Sequence, residues 1–200
     1  MAAYHHGNLR RAVIDRALEV VAERGPAALN LRSLASDLGV SHTAPRHHFG
    51  SNAGVLTAIA TEGFALLRDR LAALREAGAP FLEMGVAYVE FAAAHPAHFT
   101  VMFEPRLLIA EDPAYVAASS GAFAELRGGV DALSAYGEQS DAAAAVVAAW
   151  SLMHGLATLE LTGNLERSQI RALLGATDLA SVARRAGSML DGSPRRAGAE

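Results

Sequence analysis

Apolar residues recur every three or four positions along most of this 200-residue chain, and no window alternates apolar with polar residues. A spacing of three to four places apolar side chains on one face of a helix, whereas a strand needs a spacing of two. Glycine and proline interrupt the pattern, as at Gly25-Pro26 and His95-Pro96. The pattern therefore predicts an all-α protein whose helices are joined by short turns.

The composition excludes several classes of protein. A hydrophobic content of 52% excludes intrinsic disorder, and the absence of cysteine excludes disulfides, thiolate metal sites and thiol nucleophiles. The sequence predicts no signal peptide, and the longest apolar stretch, Ala142 to Trp150, is shorter than the about 18 residues that span a bilayer. We therefore expect a cytoplasmic protein that does not enter a membrane.

Charge is distributed unevenly along the chain. Residues 1–50 contain six arginines against four acidic residues and five of the eight histidines, whereas residues 51–200 contain 11 arginines against 17 acidic residues. The chain has no lysine, and its net charge is -4. A polyanion responds to the charge of the surface it touches and not to the net charge of the whole chain. The N-terminal quarter is therefore the better candidate for contact with nucleic acid.

Three helices are predicted within the first fifty residues. The first begins at Leu9 and ends before Gly25-Pro26, and Asn30 is a suitable N-cap for the second. A turn at Gly39-Val40 follows, and we expect Ser41 to cap a third, unusually polar helix that ends at Phe49. Two short helices joined by a glycine-containing turn are the signature of a helix-turn-helix motif, here at about residues 31–50.

The segment from Leu31 to Phe49 resembles the helix-turn-helix of TetR-family transcriptional regulators, in which a Gly-Val-Ser turn leads to a recognition helix ending in His-Phe. Tyr4 to Arg10, and Trp150 followed by His154-Gly155, resemble the subgroup named for a Trp-x-x-x-His-Gly motif in its C-terminal domain. The resemblance implies a homodimeric repressor of a near-palindromic operator, from which a small molecule releases it. It also implies a cytoplasmic location.

The resemblance divides the chain into a DNA-binding domain at residues 6–68, a regulatory and dimerisation domain at residues 69–191, and a disordered tail at residues 192–200. The second domain is expected to be an antiparallel helical bundle. Its last two long helices, near residues 142–161 and 178–190 and capped by Asp141 and Asp178, would form the dimer interface. Gly155 indicates a close backbone approach, either within the subunit or against a second subunit.

Two residues depart from the family pattern. Arg46 stands where the family often has tyrosine, and Asn52 stands where many members have lysine. Both family residues typically contact phosphate, so phosphate binding must depend on arginine, histidine and backbone amides. Arg46 can bind a phosphate, or can donate two hydrogen bonds to a guanine. His48, beside Phe49, is a structural or phosphate-facing residue more than a base-reading one.

The predicted DNA-binding residues carry hydrogen-bond donors or a methyl group and lie on or beside the third helix. They are Arg32, Ser41, His42, Thr43, Arg46, His47, His48 and Asn52. Pro45 is tolerable in this helix because it lies in the first turn. Val40, Ala44 and Phe49 are expected to pack inward.

The predicted ligand-binding residues are large, and some also carry a polar atom that needs a partner when buried. They are Tyr88, Phe91, Met102, Phe103, Trp150, Met153 and His154, with Met84 and Phe99 as further candidates. Such residues also form ordinary helical cores. The sequence does not identify the effector, nor whether the effector releases or promotes DNA binding.

Two other functions compete with a DNA-binding regulator. A helical bundle that binds a small molecule without binding DNA is favoured by Arg46 and Asn52. An enzyme could use Glu90, His95, Glu104 or His154, but no nucleophile, phosphate loop or metal-ligand motif supports one. His42, His47 and His48 lack the i, i+4 spacing of helical metal ligands, so we expect no metal and no cofactor.

Overall fold

A computed structural model describes residues 9–131, 139–175 and 177–189. Over these residues the chain is helical and contains no strand, which confirms the predicted fold class. The α-helices are α1 (Leu9–Arg24), α2 (Leu31–Asp37), α3 (Thr43–Phe49), α4 (Asn52–Glu76), α5 (Phe81–Ala94), α6 (Pro96–Met102), α7 (Pro113–Asp131), α8 (Gln139–Leu161), α9 (Asn164–Arg167), α10 (Ile170–Leu174) and α11 (Leu179–Gly187). Short 3₁₀ turns occupy Pro26–Ala28 and Pro105–Leu107.

By its packing the chain divides into two compact units. The first unit comprises Met1–Leu66 with His95–Gly121, and the second comprises Leu67–Ala94 with Ala122–Glu200. Helices α4 and α7 therefore contribute residues to both units, and α6 belongs to the same unit as α1, α2 and α3. The predicted division at residue 68 concerns DNA binding and regulation, and it stays a prediction. The predicted tail at residues 192–200 lies outside the described residues.

Local signals in the sequence define the ends of the first two helices. Gly25 has a φ of 78° directly after α1, and Pro26 then opens a 3₁₀ turn. Asn30 accepts hydrogen bonds from the amides of Arg32 and Ser33, which confirms it as the N-cap of α2. After α2, Gly39 has a φ of 65°, and the Val40 amide donates to the Ala35 carbonyl. Hydrogen bonds of this kind close a helix with a left-handed glycine.

The core of the first unit is built from the apolar stripes of α1, α2, α4 and α6. Its fully buried members include Val13, Ile14, Leu34, Val55, Ile59 and Val101. The Thr57 hydroxyl, itself buried, accepts a hydrogen bond from the Ile109 amide at 2.9 Å and so holds the loop after α6 against α4.

The second unit is centred on α5, which packs against both α8 and α11. A Cβ added at Gly85 would lie 3.0 Å from Cε of Met153, and one added at Gly187 would lie 2.3 Å from Cδ1 of Leu82. The two glycines thus allow the three helices to approach closely. Arg184 of α11 adds a two-pronged contact to Glu83, with both N–O distances at 2.9 Å.

Three expectations about this unit need correction or extension. Helix α8 begins at Gln139, so the expected N-cap Asp141 lies inside it, because α8 extends beyond the apolar pattern that marked its start. Asp178 does cap α11, where its side chain accepts from the Ser181 amide, but that helix ends at Gly187 and not near Leu190. The short helices α9 and α10 were not predicted, because four or five residues are too few to show a periodic pattern.

Helix α8 is also longer than the apolar stretch from Ala142 to Trp150 suggested. By length and composition alone, Ala143–Leu161 is long enough to cross a bilayer, which overturns the expectation that this region is too short. Only 22% of that window is buried, so α8 leaves apolar side chains exposed in the described chain as well as packing on α5 and α11.

Candidate nucleic-acid interface

One face of α3 and of the turn before it consists of exposed polar side chains. Ser41, His42, Thr43, Arg46, His47 and His48 are all exposed, and the two histidines before Phe49 continue the face to the end of the helix. Helical spacing thus brings Thr43, Arg46 and His47 onto one face of α3, and His48 lies at its border. Donors of this kind, presented on one side of a short helix, are what recognition of base edges and phosphates requires.

The opposite face of α3 is held by Pro45 and Phe49. Pro45 is the buried residue of this helix, while Val40, Ala44 and Phe49 are only half-buried. Because α3 begins at Thr43, Pro45 lies in its first turn, where a missing amide hydrogen does not break the helix. Sequence reasoning treated Pro45 only as tolerable and missed its role as the apolar anchor. The guanidinium of Arg10 lies 5.5 Å from the centre of the Phe49 ring and covers it.

The expected N-cap of α3 is wrong. His42 occupies the N-cap position, and no side chain caps the helix there. Ser41 instead places its hydroxyl 3.1 Å from the Thr43 hydroxyl, and its carbonyl accepts from the Ala44 amide. The turn after Gly39 extends one residue further than the sequence suggested. The Ser41 hydroxyl is consequently exposed beside Thr43 on the polar face.

The backbone amides at the start of α2 are already occupied. The Leu31 amide donates to Asn52, and those of Arg32 and Ser33 donate to Asn30. No unoccupied amide remains in this first turn for a phosphate. If Arg32 contacts DNA, it must use its exposed guanidinium.

Asn52 links the start of α4 to the start of α2. Its Oδ1 accepts from the Leu31 amide at 3.0 Å, and its Nδ2 donates to the Leu29 carbonyl at 2.9 Å. The second hydrogen of the Nδ2 group is the only donor of this side chain that remains for a phosphate. Gly54, two residues further on, is close to α3, since a Cβ there would lie 1.9 Å from the Phe49 carbonyl oxygen. Neither packing role was evident from the sequence.

Ion pairs divide the arginines of the first fifty residues into two groups. Arg11 pairs with Asp15 and Glu62, and Arg16 pairs with Glu19 and Asp37, so their charges are balanced locally. Within the described part of the chain, no carboxylate lies within ion-pair distance of Arg32 or Arg46. Arg10 and Arg24 of α1 also have no ion pair in the described chain, so the positive charge that is not balanced locally lies on α1, α2 and α3.

Three of the predicted ligand-binding residues meet in the second unit. The Tyr88 hydroxyl of α5 lies 2.8 Å from Nδ1 of His154, and Nε1 of Trp150 donates to the same hydroxyl at 3.4 Å. Because the indole can only donate, the hydroxyl oxygen accepts from Trp150, and the tautomer of His154 sets which of the hydroxyl and Nδ1 donates to the other. Burial raises the pKa of Tyr88 and lowers the pKa of His154, so both are neutral at pH 7.

The other predicted ligand-binding residues serve two separate cores. Phe91 and Met153 are buried in the second unit, where Met153 fills the space beside Gly85 and Gly187. Met102 and Phe103 belong to the first unit, in which Phe103 lies 4.9 Å from Phe99 between ring centres. The seven residues therefore do not form a single cluster within either unit.

A cleft of about 300 Å³ opens in the second unit where α4 ends and α5 begins. Arg75, Pro80, Phe81, Met84 and Gly129 contribute to its lining. Met84 was the only ligand-binding candidate at this position. Arg75 also pairs with Glu125, which holds its guanidinium at the cleft.

Two short helices joined by a glycine turn, with the second helix exposed and polar, define a helix-turn-helix regulator with a helical C-terminal domain. Residues 81–190 match the family described as the tetracyclin repressor-like C-terminal domain. The chain belongs to the TetR family of transcriptional regulators. Its assignment to the Trp-x-x-x-His-Gly subgroup stays a prediction.

Known proteins of the same kind resemble nearly the whole chain. An uncharacterized HTH-type transcriptional regulator of Mycobacterium tuberculosis is 29% identical over 161 residues, which are 78% of this chain and 72% of that protein. A solved protein of unknown function from Rhodococcus sp. RHA1 is 31% identical with a TM-score of 0.74, covering 94% of this chain and 96% of its own. A TetR-family regulator from Bordetella parapertussis shares the fold, with a TM-score of 0.68 at 21% identity over 93% of this chain and 96% of its own.

Proposed function

We propose that this regulator is a cytoplasmic homodimeric repressor that binds a near-palindromic operator through α3 and is released by a small-molecule effector. The observation that carries the proposal is the exposed polar face of α3, with Pro45 buried beneath it and Arg46 without an ion-pair partner in the described chain. DNA binding follows from this face and from the family. The operator, the dimer and the effector are separate parts of the proposal, and each has its own experiment.

The proposed contacts have different roles. Thr43, Arg46 and His47 face outward from α3 and are the candidates for base edges, with Arg46 able to bind guanine through two parallel hydrogen bonds. Arg32, Ser41, His42 and His48 border that face and suit phosphate oxygens. Asn52 is a weaker candidate because its amide already binds the backbone before α2.

Selection from a random duplex pool at low salt tests this function. We expect enrichment of a half-site in two inverted copies, because a twofold dimer places two recognition helices about one helical turn of DNA apart. The matched control is a chain with the Arg32→Ala, Arg46→Ala and His47→Ala substitutions, which should enrich no motif. If the unchanged protein enriches no half-site, the DNA-binding proposal is wrong and a ligand-binding bundle takes its place.

A second copy of the chain is the proposed partner of α8. Val147 is 59% exposed, Leu159 is 44% exposed and Trp150 is 38% exposed, so one long helix presents three large apolar side chains at the surface of the described chain. Nothing in the described chain lies within 4 Å of a Cβ added at Gly155. The close approach expected at Gly155 is therefore not made by the described part of this subunit, and of the two alternatives the sequence left open, the second subunit is favoured.

Trp150 provides a direct assay for an effector. It is the single tryptophan of the chain, and its indole donates to Tyr88 in the second unit. A ligand that enters near Tyr88 or His154 should change the Trp150 emission and release DNA at matching concentrations. One structural neighbour, a regulator from Saccharomonospora viridis, was solved in complex with choline, so quaternary ammonium compounds belong in the panel. Emission changes without release of DNA would contradict an effector role.

A further inference from the structure

Glu62 of α4 holds one helix with each oxygen of its carboxylate. Oε2 accepts from Nη1 of Arg11 on α1 at 2.7 Å, and Oε1 lies 3.1 Å from Nε2 of His98 on α6. His98 is 7% exposed, so this contact is made inside the first unit. A single side chain therefore connects α1 to α6.

The protonation states of the cluster support this bridge. Burial alone would raise the pKa of Glu62, but the contacts with Arg11 and His98 together bring it below its usual value. Burial lowers the pKa of His98 by more than Glu62 raises it. Glu62 is thus charged and His98 neutral at pH 7, and Nε2–H of His98 donates to the carboxylate. The other titratable groups at this point are Asp15, which pairs with Arg11, and His95, whose ring stands 5.7 Å from that of His98.

Helix α6 also packs directly on α4 beside this bridge. A Cβ added at Gly63 would lie 2.6 Å from Sδ of Met102 and 3.1 Å from Cβ of His98. Because α6 is in such close contact, it cannot shift along α4 without changing the distance between His98 and Glu62. The hydrogen bond to Glu62 consequently depends on the position of α6.

The residue before Arg11 in the chain touches the recognition helix. Arg10 places its guanidinium over Phe49, the last residue of α3, and α1 packs against both α3 and α6. Two consecutive arginines of α1 therefore contact Glu62 on one side and α3 on the other. The contacts are continuous from His98 through Glu62 and α1 to Phe49.

We propose that Glu62 is a positioning residue that fixes α3 through Arg11 and α1, with His98 holding its carboxylate in place. The reading of DNA by α3 rests on the proposed function, whereas the mechanical link does not. A contiguous set of contacts is a physical basis for such coupling only if altering one end changes the other. Glu62, Arg10 and His98 allow that measurement.

Hydrogen exchange of the DNA-free protein tests the link without any operator. Glu62→Gln keeps an acceptor for His98 but removes the charge that holds Arg11. We expect amides of α3 to exchange about threefold to tenfold faster in this variant, while those of α5 and α8 keep their rates. Glu90→Gln is the matched control, because Glu90 pairs with Arg70 between α4 and α5 in the second unit. Unchanged exchange of α3 in Glu62→Gln would overturn the proposal.

A conservative pair of substitutions at His98 separates positioning from general packing. His98→Gln retains an N–H donor near the place of Nε2, whereas His98→Leu fills the site without a donor. We expect His98→Gln to keep the exchange rates of α3 and His98→Leu to raise them as Glu62→Gln does. Equal rates in both His98 variants would show that only packing matters, which contradicts the proposal.

A double-mutant cycle completes the test and keeps the two proposals distinguishable. If Arg10 and Glu62 act in one series, Arg10→Leu with Glu62→Gln should raise α3 exchange no more than the stronger single change. If the increases in α3 exchange rate of the two single variants multiply in the double variant, Arg10 and Glu62 act on α3 independently, and the proposed link between them is wrong. On a selected operator, Glu62→Gln should also lower affinity about threefold to tenfold. If no operator can be selected, the DNA-binding proposal is wrong. The role of Glu62 is then decided by the hydrogen-exchange rates of α3 alone.

Discussion

Pro45 is buried and Arg46 is exposed, although they are consecutive residues of a seven-residue helix. The proline ring anchors α3 in the first unit, and the guanidinium is directed away from it. The pair explains how a short helix with so few apolar residues can present a polar face and still be fixed. It also separates residues that should affect folding from residues that should affect DNA binding.

Arg46→Ala should weaken binding to a selected operator without affecting folding. If Arg46 reads a guanine, we expect a loss of about 1–3 kcal/mol that is confined to operators carrying that base. The midpoint of thermal unfolding should stay the same, because Arg46 has no ion pair in the described chain. Arg127→Ala, on exposed α7, controls for net charge. A uniform loss on all sequences with a shallower salt dependence would identify Arg46 as a phosphate contact.

Asn52→Ala should lower the free energy of unfolding, because it removes both hydrogen bonds to the backbone beside α2. We expect a decrease of about 1–2 kcal/mol by urea unfolding, comparable with that for the cap variant Asn30→Ala. The slope of log affinity against log salt should match that of the unchanged protein. A fully stable Asn52→Ala protein with a shallower slope would instead show that Asn52 contacts phosphate.

Val147→Arg should convert the proposed homodimer to a monomer. Arginine at a position that is 59% exposed in one chain is tolerated by the monomer, but it would bury an unpaired charge between two copies of α8. Sedimentation velocity measures the outcome. Val116→Arg, at a position of α7 that is 45% exposed, is the matched control and should stay dimeric. If Val147→Arg and Val116→Arg are both dimeric, this face of α8 is not the interface.

Gly187→Ala should destabilise the second unit, since its Cβ would lie 2.3 Å from Leu82 and 2.9 Å from Cε of Met153. Overpacking of this kind costs about 1–3 kcal/mol, which thermal or urea unfolding would detect. Gly155→Ala is the comparison within the same unit, because a Cβ there meets nothing within 4 Å in the described chain. Its monomer should be as stable as the unchanged one, or more stable. Equal stability of the two variants would contradict the packing around Gly187.

Stability should fall as the pH drops below about 6.5, the ordinary pKa of histidine. Burial lowers the pKa values of His98 and His154 in the folded protein, so the unfolded chain takes up protons first. Their contribution is complete above the unfolded pKa and is lost as the pH falls towards the folded values. His154→Asn keeps an acceptor near Nδ1 for Tyr88 but cannot titrate, and unfolding midpoints measured from pH 8 to pH 5 should fall less steeply in this variant. Identical pH profiles would contradict the neutral, buried state of His154.

The helical class, the turn after α2 and the polar character of α3 could be predicted from the amino-acid sequence. These features depend on local physics: the helical spacing of apolar residues, the capping preference of Asn30 and the left-handed φ of Gly39. Each of these interactions involves residues only a few positions apart, so it can be recognised in the amino-acid sequence. The predicted start of α8, the predicted end of α11 and the predicted cap of α3 were wrong because competing positions differ by only one turn or less.

The partners of the polar side chains could not be predicted in this way, because they depend on how the helices pack. Nothing in the sequence distinguishes the charge of Arg11 from that of Arg46. In the structure, Arg11 pairs with Glu62, 51 residues away in the chain, whereas Arg46 has no such partner in the described part of the chain. Asn52 binds the backbone before α2, and Tyr88 binds His154 at a separation of 66 residues. Such pairs form when packing brings distant helices together, and no periodicity or local propensity encodes them. For the same reason, Gly155 predicted a close approach, but the structure was needed to find its face open in the described subunit.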